Sequence, residues 1–485
     1  MPGVPQIPIL KSAWTLLPFI GTTNLLRFHE AAFQRYKTYG KILWEAFRDR
    51  RLVWVFDAND AEVVFRHEGK YPMREGFEAM ALYRKMRPQY YGSTGLLLVH
   101  GKEWYNFRSK TQTYLLRPKL VHQYLPIMNE IANEMIERIH SIRSRSDSSI
   151  DDFVKELYRY ALETIGLIAL DCRLGSLKKD ETDSSSDAQI IIKCANDILM
   201  LNSLLDSQIL AMWRLLGRPV GKIWSKFIEA NDQFTQICFR YIEKTKNRVK
   251  EVKTEQNQDA SILQLLLMRP DFTPSEAVTM ILDMFLAGID TTSHSTAYTL
   301  YFLAKHKDVQ AQAREEIKRV VGKSPVISEE MIADLQYLKA CIKESQRLNP
   351  VVFANERTLS EDIVLSGYRV PAGTMIVIGH YVMSRLEEYF PDPFSYKPER
   401  WLRKVNSVSA NKRSYKEDIH PFAVLPFGFG PRMCIGRRIA MQEMLLFLSK
   451  ILQNFEVDYE GDELRMINRT VTCPEKPLRF KFFKL

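Results

Sequence analysis

The sequence contains little cysteine and no apolar run long enough to cross a membrane. Six cysteines among 485 residues are too few for a disulfide scaffold. Neither a CxxC pair nor an HExxH motif is present, so zinc sites are not indicated. A membrane span requires about 20 apolar residues, whereas the most apolar part of the N-terminus is only the segment Ala13 to Ile20. These absences argue against a disulfide-rich secreted protein and a multi-span membrane protein, and favour a reducing compartment.

The composition is that of an ordinary folded chain. Hydrophobic residues make up 46% and charged residues 26% of the sequence, which excludes disordered and collagen-like classes and predicts a largely soluble protein. The length corresponds to about three average domains or one large domain. The 68 Lys and Arg residues exceed the 58 Asp and Glu residues, for a net charge of +10, which favours an acidic partner such as nucleic acid, an anionic membrane or an acidic protein. Spread over 485 residues, this excess is modest.

Long helical periodicity dominates the middle of the sequence. A very apolar helix is predicted over 274–303, with Thr273 as its N-cap and Pro274 at its first position. Its apolar character on all sides predicts burial through the molecular centre. Two β-like runs at 41–47 and 51–56 predict a hairpin. The other predicted helices cover 121–145, 150–170, 188–205, 221–253 and 437–453.

The strongest chemical signal is the segment Phe427-Gly-Phe-Gly430-Pro-Arg432-Met-Cys434-Ile-Gly436, which is followed directly by a helical pattern. Its glycines permit a tight loop whose backbone can approach a ligand closely. Cys434 stands just before a predicted helix N-terminus, where the helix dipole and free N–H groups favour thiolate over thiol. A thiolate held in this way is a metal ligand. For the cysteine taken alone, a buried structural residue is the alternative.

Three further patterns place charged or reactive residues on one helix face. Glu344 and Arg347 are three residues apart and can form an ion pair, although such a pattern alone is most often an exposed surface pair. Trp104 and Arg108 are four residues apart, and an ordinary amphipathic pair is the alternative. The segment 287–292 (AGIDTT) places an acid and hydroxyls beside a helix glycine, which predicts local distortion. Its alternative is a packing glycine with a threonine that bonds to a backbone carbonyl.

Together, and in their order along the chain, the four patterns resemble the cytochrome P-450 haem-thiolate monooxygenases. The matching motifs are FxxGxRxCxG, ExxR, WxxxR and AGxDTT, with PERW at 398–401. The resemblance implies a mainly α fold with small peripheral β-sheets, the cytochrome P-450 fold, in a single domain over 1–485. The implied parts are β-rich segments at about 30–100 and 355–400 and a helical core at about 101–350 and 437–453.

The resemblance also implies how a cofactor is held. Cys434 would be the axial ligand of the iron of haem b, where a thiolate assists O–O cleavage. Trp104, Arg108 and Arg432 would contact the haem propionates. Arg357 lies where family members often place another propionate contact.

Further roles follow from the same resemblance. Asp290 and Thr291 would deliver protons during oxygen activation, directly or through water. Glu344, Arg347 and Arg400 would form a buried network that steadies the cysteine loop, and removal of one partner would leave a buried charge uncompensated.

Several segments are similar to mitochondrial members of the family, which accept electrons from an acidic ferredoxin. Lys339 and Lys343 share one helix face at the spacing found in those members. The resemblance implies that they, with Arg437 and Arg438, dock a ferredoxin that an NADPH-dependent reductase reduces. The implied location is the matrix face of the mitochondrial inner membrane. For these basic residues a solvated charged face is the alternative. The similar segments are 170–177, 337–344 and 436–440.

The implied reaction inserts one oxygen atom of O2 into a lipophilic substrate, with hydroxylation of a sterol, steroid or secosteroid as the expected case. A mitochondrial enzyme that oxidises foreign compounds is the alternative within the family, and the region 357–386 resembles invertebrate members at least as well as vertebrate ones. A haem-thiolate isomerase or dehydratase and a non-catalytic haem sensor or carrier are alternatives of other classes. They have no need of Asp290 and Thr291. No nucleic-acid partner is predicted.

Two surfaces are expected to contact lipophilic molecules. A peripheral membrane contact is predicted where apolar and basic residues alternate after the helix at 188–205, with core packing as the alternative. Its residues are Ile209, Trp213, Arg214, Leu215, Leu216 and Arg218. Substrate contacts are expected at 77–95, 199–205, 351–354 and Met284.

Overall fold

The computed structural model describes residues 1–7, 11–12, 15, 21–47, 50–178, 186–206, 221–251, 261–402 and 419–485. Helices dominate the regular structure of these residues, which confirms the predicted mainly α class with small β-sheets. The helices are α1 (Phe28–Tyr39), α2 (Ala58–Arg66), α3 (Glu78–Lys85), α4 (Gly101–Leu115), α5 (Pro118–His122), α6 (Leu125–Ile142), α7 (Phe153–Leu170), α8 (Asp187–Leu205), α9 (Lys222–Glu251), α10 (Ile262–Leu267), α11 (Pro274–Lys305), α12 (Lys307–Val320), α13 (Glu329–Asp334), α14 (Gln336–Leu348), α15 (His380–Met383) and α16 (Arg437–Asn454).

The strands are short and fall into separate small sheets. They are β1 (Ile42–Phe47), β2 (Arg50–Val55), β3 (Ser149–Ile150), β4 (Asn355–Thr358), β5 (Ile363–Leu365), β6 (Tyr368–Val370), β7 (Met375–Ile378), β8 (Phe455–Tyr459), β9 (Met466–Arg469), β10 (Val471–Pro474) and β11 (Phe480–Lys484). The largest described sheet has the order β1-β2-β7-β4, in which only the β2–β7 pair is parallel. The predicted hairpin is the antiparallel β1–β2 pair.

The prediction of a β-rich segment at about 30–100 needs correction. Only β1 and β2 are strands there, and α1, α2 and α3 occupy much of the rest. Helix α2 begins directly after β2 because the Asp57 side chain accepts hydrogen bonds from the Asn59 and Asp60 N–H groups. Such short helices depend on caps and tertiary burial more than on an extended periodic pattern.

The central helix α11 has the N-terminus that the sequence predicts. Thr273 and Glu276 form a capping box, in which each side chain accepts from the other residue's N–H group, and Pro274 occupies the first position. With 32 residues, α11 is about 48 Å long. It packs against α7, α14 and α16, which places it at the centre of the large helical core. A smaller apolar core surrounds the four-stranded sheet.

Among the helices of the described residues, one, α8, has the length and hydropathy of a membrane span by composition alone. It packs along α9 and has nine buried residues, so the protein core accounts for much of its apolar character. The segment predicted to touch a membrane, 209–218, lies outside the described residues.

Candidate functional site

The segment 427–436 forms a tight loop directly before α16. The Cys434 N–H donates to the Phe427 carbonyl over 2.8 Å. Gly430 has a φ of 74°, in the left-handed region, and a Cβ atom there would lie 1.8 Å from Glu68 Oε1. A side chain at position 430 would therefore strain the backbone and require the Glu68 carboxylate to move.

The Cys434 side chain is accessible although the surrounding protein withdraws it from bulk water. Burial raises the pKa of this thiol, and it outweighs the N–H groups of Gly436 and Arg437 and the charges of Arg108 and Arg437, which lower it. The prediction of a thiolate considered the N–H groups at the helix start, which lower the pKa. It left out desolvation, which raises the pKa by more. The sulfur is thus accessible to a ligand and yet surrounded by enough protein to be desolvated. Its amide donors are suited to a sulfur that has lost its proton to a metal ion.

One stripe of α11 is accessible in the middle of an otherwise buried helix. Ala287 and Thr291 are half-buried, whereas most of their neighbours along the helix are buried. The Thr291 hydroxyl donates to the Ala287 carbonyl over 2.7 Å. Gly288 packs so closely on α7 that a Cβ atom would lie 3.1 Å from Ile165. Gly288 therefore has a packing role, and Thr291 bonds to a backbone carbonyl, as the alternative interpretation of this segment expects. The Thr291 oxygen can still accept a hydrogen bond from the accessible side.

Three of the predicted cofactor contacts lie together beside the cysteine loop. Arg108 donates from Nη2 to the Met433 carbonyl over 2.9 Å. The Arg432 guanidinium lies over the Trp104 ring, 4.7 Å from its centroid, and donates to the Val99 carbonyl. Trp104 and Arg108, from α4, thus contact the two residues that precede Cys434 in the chain.

The fourth predicted contact, Arg357, is already paired. It lies on β4, is 2% exposed, and forms a buried ion pair with Glu68. Burial raises the pKa of Glu68, while Arg357 and Arg432 lower it. The Glu68 carboxylate therefore compensates part of the charge that Arg357 contributes to the cluster.

Two residues of this cluster were not predicted. Arg74 donates to the Leu97 carbonyl over 2.8 Å. The pKa of His100 is lowered to about 4, mainly by burial and also by repulsion from Arg432 and Arg74. Neither lies in a recognisable sequence motif, so only the fold brings them to Arg432.

The cluster contains more buried positive charge than negative charge. Burial lowers the pKa of Arg432 to about 8, assisted by repulsion from Arg74, Arg357 and Arg108, while Glu68 acts in the opposite direction. The Arg432 Nε atom is buried without a hydrogen-bond partner among the described residues. Buried cations normally have anionic partners. The donor set therefore suits an anionic group with several acceptor oxygens.

Glu344 and Arg347 form a fully buried pair. Arg347 donates to both Glu344 oxygens, over 2.7 and 2.9 Å, and also to the carbonyls of Ser384 and Pro393. Arg400 donates from Nε to Glu344 over 3.3 Å. The Trp401 indole and the Lys397 N–H complete the shell of donors around the carboxylate.

Asp290 lies beside the accessible stripe of α11 but is itself 3% exposed. Burial raises its pKa to about 7, and the charge of Arg469 opposes this rise. Its Oδ1 atom has no hydrogen-bond partner among the described residues. Thr291, its neighbour in the chain, faces the accessible side.

Comparison with known proteins agrees with this architecture. The family model for Cytochrome P450 matches residues 11–482. The chain belongs to the cytochrome P450 family. It is 34% identical to the probable cytochrome P450 49a1 of Drosophila melanogaster over 490 residues, 99% of this chain and 82% of the relative. It is 35% identical to the probable mitochondrial cytochrome P450 12a5 of that species (89% of this chain, 81% of the relative) and 32% identical to its mitochondrial cytochrome P450 302a1 (99% and 94%).

Membership of the cytochrome P450 family confirms the predicted class of enzyme and its cofactor. The protein is a haem-dependent oxidoreductase that binds haem b through a cysteine thiolate. The residues present fit this group, because haem b carries two carboxylates and the cluster around Arg432 has a surplus of buried cations with an unpartnered donor. The accessible, desolvated Cys434 beside this cluster fits the iron.

The predicted docking residues of this cytochrome P450 lie on two helices. Lys339 and Lys343 are on α14, where Lys339 donates to the Ala333 carbonyl over 2.8 Å and Lys343 lies 5.9 Å from the centroid of the Trp401 ring. Because Trp401 also donates to Glu344, the lysine face borders the buried network. Arg437 and Arg438 begin α16, and Arg438 is exposed.

Proposed function

We propose that this protein is a mitochondrial monooxygenase that hydroxylates a lipophilic substrate with electrons from a ferredoxin. The observation that carries the proposal is the accessible Cys434 thiol, held by backbone amides beside a surplus of buried arginines. Relatives named mitochondrial cytochromes P450 support the branch. Among the alternatives, the isomerase and sensor classes lack a use for the acid and hydroxyl of α11.

In this proposal the residues around the cysteine loop hold the cofactor. Cys434 ligates the iron, and Trp104, Arg108 and Arg432 bind propionate oxygens through charge-assisted hydrogen bonds. Arg357 contributes charge from its pair with Glu68. Bound haem supplies the activation of O2, by which one oxygen atom enters the substrate and the other leaves as water.

Two residues of α11 handle protons in the proposed reaction. Asp290 has its pKa raised by burial to about 7, so near neutral pH it can both hold and release a proton. Thr291 stands on the accessible stripe, and its hydroxyl can pass a proton between Asp290 and the accessible side of α11. In this arrangement the buried Asp290 holds the proton, and the more accessible Thr291 hydroxyl delivers it.

The buried network has a structural role in this proposal. Glu344, Arg347 and Arg400 connect α14 to the segment 384–401. Since the carboxylate is surrounded by donors, loss of any partner leaves a charge without compensation. The network thereby steadies the region that supports the cysteine loop.

Electrons reach the enzyme, in this proposal, from an acidic ferredoxin reduced by an NADPH-dependent reductase. Lys339 and Lys343 attract the ferredoxin with Arg437 and Arg438, and such weak contacts depend strongly on ionic strength. The location that follows is mitochondrial, on the matrix face of the inner membrane. Cell fractionation followed by carbonate extraction of the membranes distinguishes peripheral attachment from an integral one.

The proposed substrate class is a sterol, steroid or secosteroid. Two of the apolar segments expected to contact substrate meet at the β9–β10 hairpin, because Thr470 donates to the Leu199 carbonyl over 2.9 Å and the Thr472 N–H donates to the Val351 carbonyl over 2.8 Å. Their meeting supports a common apolar pocket. Titration of the Soret band with sterols and with foreign apolar compounds tests the class, and a response to foreign compounds alone would favour the detoxifying alternative.

The decisive test of the function is a spectrum under carbon monoxide. The purified haem protein is reduced either with dithionite or with NADPH, ferredoxin reductase and ferredoxin. We expect the strongly red-shifted Soret band of a thiolate complex in both cases. If only dithionite produces this band, the ferredoxin partner is wrong. If neither produces it, the thiolate assignment and the monooxygenase fail together.

A further inference from the structure

A cavity of about 590 Å³ opens at the surface between α6, α12 and α16. The segment 322–325, which follows α12, closes one side of it, and the Gln453 side chain of α16 donates to the Gly322 carbonyl over 3.0 Å. Its lining shares no residue with the cysteine loop or with the arginine cluster around Arg432. The cavity is therefore separate from the candidate haem site.

Positive charge predominates in the lining of this cavity. Its basic residues are Arg314 and Lys318 from α12, Lys323 from the segment 322–325 and Lys450 from α16. Among the described residues, Glu137 of α6 is the one acid in the lining, and it forms no ion pair with these four cations. Four positive charges against one negative charge leave a net charge of +3.

The base of the cavity holds a buried lysine without an anionic partner. Lys450 lines the cavity although it is only 3% exposed. Its ammonium group donates to the Pro325 carbonyl, which is its one hydrogen bond among the described residues, whereas an ammonium group has three donors. Burial lowers the pKa of Lys450, and no neighbouring charge opposes this effect. Since buried cations normally have anionic partners, Lys450 is suited to an anion that enters the cavity.

The other three cations also lack acidic partners. Arg314 donates to the neutral Gln310 side chain and to two backbone carbonyls at 452 and 455, so its position is fixed while its charge stays uncompensated. Lys318 and Lys323 are exposed, and neither side chain has a hydrogen bond or an ion pair to the described residues. A solvated rim explains these two lysines, but it does not explain why Lys450 is buried without an anion.

We propose that this cavity binds a phosphate-bearing ligand. A phosphate monoester carries a charge of about −1.5 to −2 and three acceptor oxygens, so it matches a net charge of +3 better than a single carboxylate does. The cations come from three separate parts of the chain, and the compact ammonium group of lysine suits phosphate as a point charge. A soluble phosphate compound and the headgroup of an anionic lipid share this chemistry.

The test compares single variants of the holoprotein. Lys450→Met keeps the aliphatic chain and removes the buried ammonium group. Lys318→Gln and Lys323→Gln each remove one exposed charge, so they leave the packing of the core unchanged. The matched control is Arg319→Gln, which removes an equal charge from an exposed position of α12 that does not line the cavity.

The first readout is calorimetric titration with inorganic pyrophosphate in a phosphate-free buffer of low ionic strength. We expect the Kd to rise about tenfold in Lys450→Met, which loses a buried charge-assisted hydrogen bond, and about threefold in each rim variant. Arg319→Gln should match the wild type. No binding to the wild type, or equal Kd values in all the variants, would overturn the proposal. If Lys450→Met does not fold, the two rim variants and Arg319→Gln still decide it.

The second readout identifies the source of the phosphate group. Sedimentation with vesicles of phosphatidylcholine alone is compared with sedimentation with vesicles of phosphatidylcholine and phosphatidic acid in equal parts. Binding to the acidic vesicles that pyrophosphate reduces and that Lys450→Met weakens would assign the cavity to a lipid headgroup. Pyrophosphate binding without such vesicle binding would assign it to a soluble ligand.

Neither readout uses turnover, so the proposal stands or falls independently of the monooxygenase function. A ferredoxin titration of the same variants provides a further check, because an acidic protein also seeks positive charge. If the rim variants weaken ferredoxin binding and leave pyrophosphate binding unchanged, these lysines belong to a protein docking surface and the phosphate site is wrong.

Discussion

Glu344 and Arg347 form a two-point ion pair in which neither side chain has exposed surface, with N–O distances of 2.7 and 2.9 Å. Arg347 uses its remaining donors on backbone carbonyls of the segment 384–395. A pair at this depth is stable because every lone pair and N–H group near the charges is satisfied. The ion pair and these hydrogen bonds therefore link helix α14 to the segment 384–395.

Replacement of Arg347 by lysine should be strongly destabilising although the charge is kept. Lysine cannot donate to both Glu344 oxygens and to three carbonyls at once. We expect a loss of about 3–5 kcal/mol in the free energy of unfolding, measured by urea denaturation of the holoprotein. The control is Arg369→Lys, which alters an exposed pair with Asp362 and should change stability by less than about 1 kcal/mol. Similar losses in both variants would contradict the buried-network role.

Arg432→Gln should weaken retention of haem. The change removes a half-buried cation whose Nε atom is buried without a partner among the described residues, and a hydrogen bond to a charged group contributes about 1.5–3 kcal/mol. We expect haem transfer to an acceptor apoprotein to accelerate roughly tenfold to hundredfold. Arg438→Gln changes an exposed arginine in the same part of the chain and should leave the rate unchanged. An unchanged rate in Arg432→Gln would place the propionates elsewhere.

Asp290→Asn should alter the pH dependence of stability. Burial raises the pKa of Asp290 to about 7 in the folded protein, so between about pH 4 and 7 the folded state binds more protons than the unfolded state. The wild-type free energy of unfolding should therefore fall, relative to the variant, by up to about 4 kcal/mol as the pH rises through this window. Thermal unfolding from pH 4 to 8 measures the difference.

A control carboxylate separates this effect from general charge effects. Asp362 is exposed, and the Ala372 N–H group and Arg369 lower its pKa. Its contribution to stability is present above its unfolded pKa and is lost only as the pH falls below that value. Asp362→Asn should therefore give a constant difference from the wild type between pH 5 and 8, and a sloping difference there would undermine the interpretation for Asp290.

Charge reversal at Lys343 should weaken the ferredoxin complex. Lys343 is exposed on α14, and docking that depends on complementary charge is sensitive to salt. We expect Lys343→Glu to raise the Kd for ferredoxin roughly tenfold at low ionic strength, with a smaller difference at high salt. Lys226→Glu reverses an exposed charge on α9 and serves as the control. Equal effects of both changes on the Kd would mean that net charge, not a docking face, governs binding.

Local signals explain the parts of the fold that could be predicted from the sequence. The start of α11 depends on Thr273, Pro274 and Glu276, which are close neighbours in the chain, so the capping box is encoded within four residues. The β1–β2 hairpin likewise depends on adjacent segments. Short helices such as α2 escaped prediction because a cap and tertiary burial, not a long periodic pattern, define them.

The sequence by itself determined the cysteine loop, the spacing of Glu344 and Arg347, and the acid and hydroxyl of α11, because each is a short pattern. Only the tertiary structure decided their surroundings. Arg74 and His100 join Arg432 from segments more than 300 residues away in the chain, and Tyr158 meets His294 across 136 residues. The pKa of Cys434 rises, against the local expectation, because desolvation depends on all the atoms packed around a group and not on its neighbours in sequence.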